Sequence, residues 1–143
     1  MARIKIELPG TFQFTTVIPL RITDLNYGGH VGNDTVLSII HEARMQFLHH
    51  YNYSEMNFSE TGMIMSDVGI EFKNELFYGD KVKASVAIAD ISTVTFAFYY
   101  KLEKEINNKI VLVAVARTGM VCYNYELKKI AAVPETIKTQ FKL

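Results

Sequence analysis

One cysteine, Cys122, is all that this chain carries, which excludes an internal disulfide and a cysteine-rich metal site and suits a reducing compartment. Net charge is lacking too: fifteen basic residues balance fifteen acidic ones, and four histidines do not change that at neutral pH, so no electrostatic footprint argues for a nucleic-acid partner. No apolar run approaches a membrane span, and Met1 to Gly10 alternates charged with apolar residues where a signal peptide needs an unbroken apolar core. These absences predict a cytoplasmic protein with no membrane partner. A serine nucleophile elbow, a phosphate loop and a dinucleotide fingerprint are all missing, which removes support from serine hydrolases, kinases and dehydrogenases. His41-Glu42-Ala43-Arg44-Met45 opens like a zinc-protease helix but has methionine where the second histidine belongs, so zinc is excluded. His49 and His50 point about 100° apart on a helix, poor geometry for one metal, and read as solvated helix-end residues.

What is present is enough apolar material, 49% of 143 residues with no low-complexity tract, for a single domain over 1–143. Apolar residues recur with period two from Phe12 to Ile22, which predicts a strand, with Pro19 at an edge or bulge. Val36, Ile40, Ala43 and Phe47 fall on one side of a helix predicted over Asp34 to His50. Three alternating sets follow: Ile64, Val68, Ile70 and Phe72; Val82, Ala84, Val86 and Ile88; and Val94, Phe96, Phe98, Tyr100 and Leu102. Turn chemistry at Tyr78-Gly79-Asp80 and at Ile106-Asn107-Asn108-Lys109 predicts antiparallel hairpins between strands. Ile110 to Val121 is apolar on both faces and belongs mid-sheet. One helix cannot cover both faces of a sheet of about five strands, so a second copy is the expected cover and a homo-oligomer follows. Pro134 with Glu135 begins a short C-terminal helix.

Chemistry concentrates in Asp24-Leu25-Asn26-Tyr27-Gly28-Gly29-His30-Val31-Gly32-Asn33-Asp34, where the strand gives way to the helix. Gly28 and Gly29 let backbone N–H groups approach a ligand, Asn33 or Asp34 can cap the helix, and the helix start is a candidate oxyanion site. Asp34 is either a cap or a base that takes a proton from water, and His30, four residues earlier, can pair with it as base and orienter or else bond the backbone of the turn. Asn26 can hold a water or a substrate carbonyl with its amide, or serve the turn alone. Asp24 reads as a partner of Arg21 or of a turn amide, and Glu42 as an ion-pair partner of an arginine such as Arg44 of a second chain. Met65 and Asp67 are expected opposite the Ile64–Val68 face, lining a pocket or a subunit contact. Cys122, in an apolar run without a neighbouring cation, is expected to be buried and inert.

A strand, a long helix and an antiparallel meander able to wrap that helix give the order of an α+β hot-dog fold, a sheet of about five strands around one central helix. Arg21-Ile-Thr-Asp24-Leu-Asn26-Tyr-Gly-Gly29-His30-Val31-Gly-Asn33, then Glu42-Ala43-Arg44, Ile70-Glu-Phe72 and Phe77-Tyr-Gly79-Asp80 stand in one order across residues 12 to 125. In this the chain resembles the 4-hydroxybenzoyl-CoA thioesterase family of acyl-CoA thioesterases. The resemblance implies hydrolysis of an acyl-CoA by a homodimer or homotetramer, with the acyl group near the helix start and the coenzyme A arm along the subunit interface. It implies no metal and no organic cofactor. The carbonyl-polarising N–H then falls near Asn33 or Asp34, with Gly29, Asn33, Met65 and Asp67 on the substrate side and Asn26, His30 and Asp34 in the chemistry. Asn26 departs from the family, many members of which carry an aspartate there as base or nucleophile, a role an amide cannot fill. An acyl-carrier-protein thioesterase, whose family has a similar asparagine- and histidine-containing turn, is one alternative, and a non-catalytic acyl-CoA binding module is another. Thioester hydrolysis needs little beyond an activated water and an oxyanion donor, because the thiolate leaves readily.

Overall fold

The front period-two run forms β1 (Phe14–Pro19), shorter than the predicted Phe12 to Ile22 strand, in a computed structural model that describes residues 3–142. Met1, Ala2 and Leu143, ends of the predicted single domain, lie outside the described residues. Pro19 closes β1 at a sheet edge, where its missing N–H costs no ladder bond. The chain then tightens into a 3-10 turn over Ile22–Asp24, because the Asp24 carboxylate accepts the Arg21 N–H at 2.7 Å and lies 3.6 Å from the Arg21 guanidinium. Helix α1 (Asn33–His50) buries Val36, Ile40, Ala43 and Phe47 as the spacing predicts. Arg44 is buried with them and is engaged within its own chain, donating to the Tyr100 hydroxyl at 3.2 Å and lying 3.4 Å from the Glu55 carboxylate. Glu42 accepts the Gln46 amide at 2.6 Å within its own helix.

After α1 come β2 (Gly62–Phe72), β3 (Lys81–Ala89), β4 (Thr95–Ile106), β5 (Lys109–Asn124), the two-residue β6 (Lys129–Ile130) and a short α2 (Glu135–Gln140). The sheet is antiparallel throughout and runs β1-β3-β4-β5-β2, with β6 beside β5. The hot-dog arrangement therefore holds, as an open sheet with a sixth short strand. Its inner face closes on α1: the Phe47 ring stands 5.4 Å from Phe98, 5.7 Å from Phe141 and 6.1 Å from Phe14. Cys122 is fully buried on β5, and desolvation pushes its thiol up to about 11, so the expectation of an inert cysteine stands. Among the described residues, no helix is long and apolar enough to cross a membrane.

Three expectations change. Asn107 and Asn108, both at positive φ, do make the two-residue turn of the β4–β5 hairpin. Tyr78-Gly79-Asp80 does not join paired strands, because β2 pairs with β5 at one edge while β3 lies beyond β4. The segment from 73 to 80 must therefore cross the end of the sheet, and its Leu76 carbonyl takes the Val31 N–H at 3.0 Å beside the start of α1. In β2 a bulge at Ser66 shifts the register between Met65, opposite Met120, and Asp67, opposite Gly119. One extra residue flips every later side chain. Met65 thus shares the inner face with Val68, Ile70 and Phe72, while Asp67 joins Ile64 on the outer face, 3.8 Å from the Arg117 guanidinium. The outer face also has a cover of its own. Ile4 and Ile6 pack where Gly69 has no side chain, the Ile6 N–H reaches the Glu71 carboxylate at 2.7 Å and holds it below its ordinary range, and the Phe12 ring lies 5.0 Å from the Lys101 ammonium. The need for a second copy to cover that face is reduced accordingly.

Candidate active site

The turn between β1 and α1 is built around Asn26. Its side-chain oxygen accepts the N–H groups of Gly28 at 2.9 Å and His30 at 3.3 Å, and its own N–H donates to the His30 carbonyl at 2.7 Å. Gly29 adopts φ +77°, a conformation that costs glycine least. Asn26 has spent its acceptor on the backbone and keeps its amide N–H groups available. Helix α1 begins with Gly32 as its cap residue, and no side chain caps it, so the expected cap at Asn33 or Asp34 is not formed. The Asp34 carboxylate instead folds back over Gly32, where an added Cβ would meet Asp34 Oδ1 at 2.6 Å and the Asn26 amide nitrogen at 3.8 Å. The first N–H groups of an α-helix have no partner within the helix, and those of Asn33 and Asp34 are left for a ligand or water.

His30 faces the crossing segment. Its Nδ1 lies 2.8 Å from the Glu75 carboxylate, its ring lies 5.0 Å from that of Phe77, and His30 and Phe77 also meet as a short antiparallel bridge. The Nδ1–Oε2 contact is short but poorly aligned for a hydrogen bond. Such contacts in an unliganded site commonly tighten when substrate arrives. The carboxylate that sequence reasoning gives to His30 was Asp34, yet the one in contact is Glu75.

A cleft of about 440 Å³ opens between these parts. Asn26, His30, Gly32 and Asn33 line one wall, the stretch from Phe72 to Leu76 the other, with Val36 and Val113 at the apolar end. A larger hollow of about 570 Å³, lined by Asp90, Lys138 and Lys142 among others, contains no histidine or unfilled helix start. A third hollow, of about 590 Å³, has Glu42, His49 and His50 in its lining but lies away from the helix start, so the smaller cleft, which joins a histidine to that start, is the chemical candidate. It gathers Asn26, His30 and Asn33. Asp34 and Gly29 stand beside it without lining it, and Met65 and Asp67 lie elsewhere, Asp67 about 17 Å along the strand from Phe72 at ~3.3 Å per residue. Glu75 is the residue that sequence reasoning misses, because its link to His30 depends on how the crossing segment runs. Among the described residues, no three His, Cys, Asp or Glu side chains converge as a metal site would.

A family model described as the thioesterase-like superfamily matches residues 20–141. Among solved structures, a thioesterase-superfamily protein from Jannaschia sp. superposes with a TM-score of 0.81 at 16% identity, over 93% of this chain and 83% of that one. A 1,4-dihydroxy-2-naphthoyl-CoA thioesterase from Synechocystis gives 0.78 at 23% identity, over 90% and 94%. The DHNA-CoA thioesterase of Staphylococcus aureus gives 0.74 at 17% identity, over 88% and 84%. At these identities the likenesses speak for the fold. Among curated protein sequences, none matches the chain significantly.

Proposed function

The chain belongs to the thioesterase-like superfamily, and from that premise we propose that this thioester hydrolase acts on an acyl-CoA, using a water activated by His30 in the cleft at the start of α1. The observation that carries the reading is the His30–Glu75 contact beside unfilled helix-start N–H groups. When substrate tightens this contact, Glu75 accepts the Nδ1–H, which leaves the Nε2 lone pair to take a proton from water. The hydroxide attacks the thioester carbonyl, and the resulting oxyanion is held by the N–H groups of Asn33 and Asp34 and by the positive end of α1. The tetrahedral intermediate expels the coenzyme A thiolate, which receives the proton from the imidazolium, so acid and free thiol leave with no proton unaccounted for. Asn26 orients the water through its amide, and the Gly29 turn borders the substrate's path. Two neighbours in fold are named for CoA thioesters, which supports that leaving group.

The test is release of free thiol from a panel of aliphatic and aromatic acyl-CoAs, run beside the same acyl groups on a carrier protein. Turnover of at least one CoA ester is expected. Turnover of carrier-protein esters alone would favour a carrier-protein thioesterase, and binding of acyl-CoA without turnover of either would make the chain a binding module.

A second base has one observation in its favour, since the Asp34 carboxylate and the Asn26 amide converge over Gly32. Asp34→Asn separates the two readings: with His30 as base kcat stays within about threefold of wild type, whereas loss of a base at position 34 lowers it by about two to four powers of ten. The helix start does not depend on the outcome, because Asp34 makes no cap bond.

The functional unit is read as a homodimer, with a tetramer built from it as the larger alternative, and each chain as one domain. The support is β2, whose far edge is unpaired among the described residues and carries exposed Ile64, Met65, Val68 and Phe72. A lone, buried cysteine suits the cytoplasm.

A further inference from the structure

We propose that Lys104 is a positioning residue for this hydrolysis, its buried ammonium fixing the segment that presents Glu75 to His30; the proposal rests on the His30–Glu75 reading above. Lys104 comes from β4, is only 5% exposed, and is the one lysine among the described residues that the fold encloses. Its Nζ donates to the Glu75 carbonyl at 2.7 Å and to the Asp80 carboxylate at 3.0 Å, and it stands 5.0 Å from the centre of the Phe77 ring. The same Asp80 oxygen accepts the Phe77 N–H at 2.9 Å, and the Asp80 N–H returns to the Phe77 carbonyl at 3.1 Å. One cation therefore closes the stretch from Glu75 to Asp80 from both ends. Enclosing an ammonium is unfavourable unless it is paired and hydrogen-bonded, and here a carboxylate, a main-chain carbonyl and an aromatic face together meet the charge.

The segment has another anchor that does not involve Lys104. Leu76 is buried, and its carbonyl takes the Val31 N–H at 3.0 Å. Leu76 holds the main chain to the helix start, whereas the bond to the Glu75 carbonyl sets the peptide from which the exposed Glu75 side chain reaches His30. Loss of the ammonium should therefore leave the fold and the cleft but let the Glu75 carboxylate drift, and a displacement of about 1 Å in a catalytic arrangement can cost roughly a hundredfold.

Lys104→Met keeps the apolar stem and removes the charge. The expected result is a fall in kcat of about ten- to a hundredfold with KM within about twofold, recovery of most of the loss in Lys104→Arg, and no further loss when Lys104→Met is added to Glu75→Ala. Nitrogen NMR of the neutral His30 ring provides a reading independent of substrate: the Nδ1–H form dominates in wild type and Lys104→Arg, and Lys104→Met shifts the ring toward the mixture found in free histidine. Should Lys104→Met fail to fold, Lys104→Gln, which keeps a polar head in the enclosure, takes its place with the same expected directions. If Glu75→Ala slows turnover but the Lys104 variant leaves both kcat and the His30 tautomer unchanged, the role of Lys104 is overturned while the site reading stands. If Glu75→Ala itself changes nothing, the site reading has failed. Losses that add in free energy would also overturn the proposal, since Lys104 would then act by another route.

Discussion

His30→Ala is expected to lower kcat by about two to four powers of ten, the scale on which a general base contributes, with KM changed only a few fold. The size of the effect follows from the lack of a substitute. Asn26 cannot accept a proton at neutral pH, Asp34 stands outside the lining, and Glu75, which lines the opposite wall, has its carboxylate against the His30 ring. The fold should survive, because the bonds that shape the turn use the main chain of His30: its carbonyl accepts the Asn26 N–H at 2.7 Å, and its N–H donates to the Asn26 side chain at 3.3 Å. Steady-state thiol release together with circular dichroism decides it. A lower melting temperature with kcat untouched would reduce His30 to a turn residue.

Ile64→Lys with Val68→Lys is expected to separate the proposed dimer, raising its dissociation constant by at least about thirtyfold, the equivalent of ~2 kcal/mol for one interface anchor. The bulge at Ser66 places these side chains on opposite faces of β2, so the pair introduces charge on both sides of the strand. The other edge of the sheet is a poor competitor: β1 has six residues and ends in Pro19, against eleven in β2. Sedimentation at micromolar concentration is the measurement. A wild-type monomer would remove the dimer from the account, and a variant that remains dimeric would move the interface away from β2.

The elements legible in the sequence were those whose signal is local. Val36, Ile40, Ala43 and Phe47 mark α1 because a buried helix face repeats every three to four residues, and Asn107-Asn108 marks its hairpin because asparagine tolerates positive φ. The bulge was hidden, since Ser66 between Met65 and Asp67 looks like ordinary alternation and only the partner strand shows the extra residue. The covering role of the N-terminal stretch was not legible either, since the Ile6 N–H finds its carboxylate partner, Glu71, 65 residues along the chain. Asn33 and Asp34 are both good capping residues, yet the cap falls to Gly32, and the Asp34 carboxylate occupies the space where a side chain there would sit. The turn proposed to carry the chemistry was recognisable from its residue types and from its family resemblance. Its carboxylate partner was not, because Glu75 and Lys104 meet the site only after β2 and β3 have been placed on opposite sides of β4 and β5, which forces the segment between them past His30.

The pairing of His30 with Glu75 is tested most directly by a double-mutant cycle on kcat, using the acyl-CoA that gives the fastest thiol release. Wild type, His30→Ala, Glu75→Ala and the double variant are compared at one pH. If Glu75 acts through the imidazole, the double variant is no slower than His30→Ala, within about twofold. Losses that add in free energy, or a His30→Ala enzyme as fast as wild type, would contradict the account.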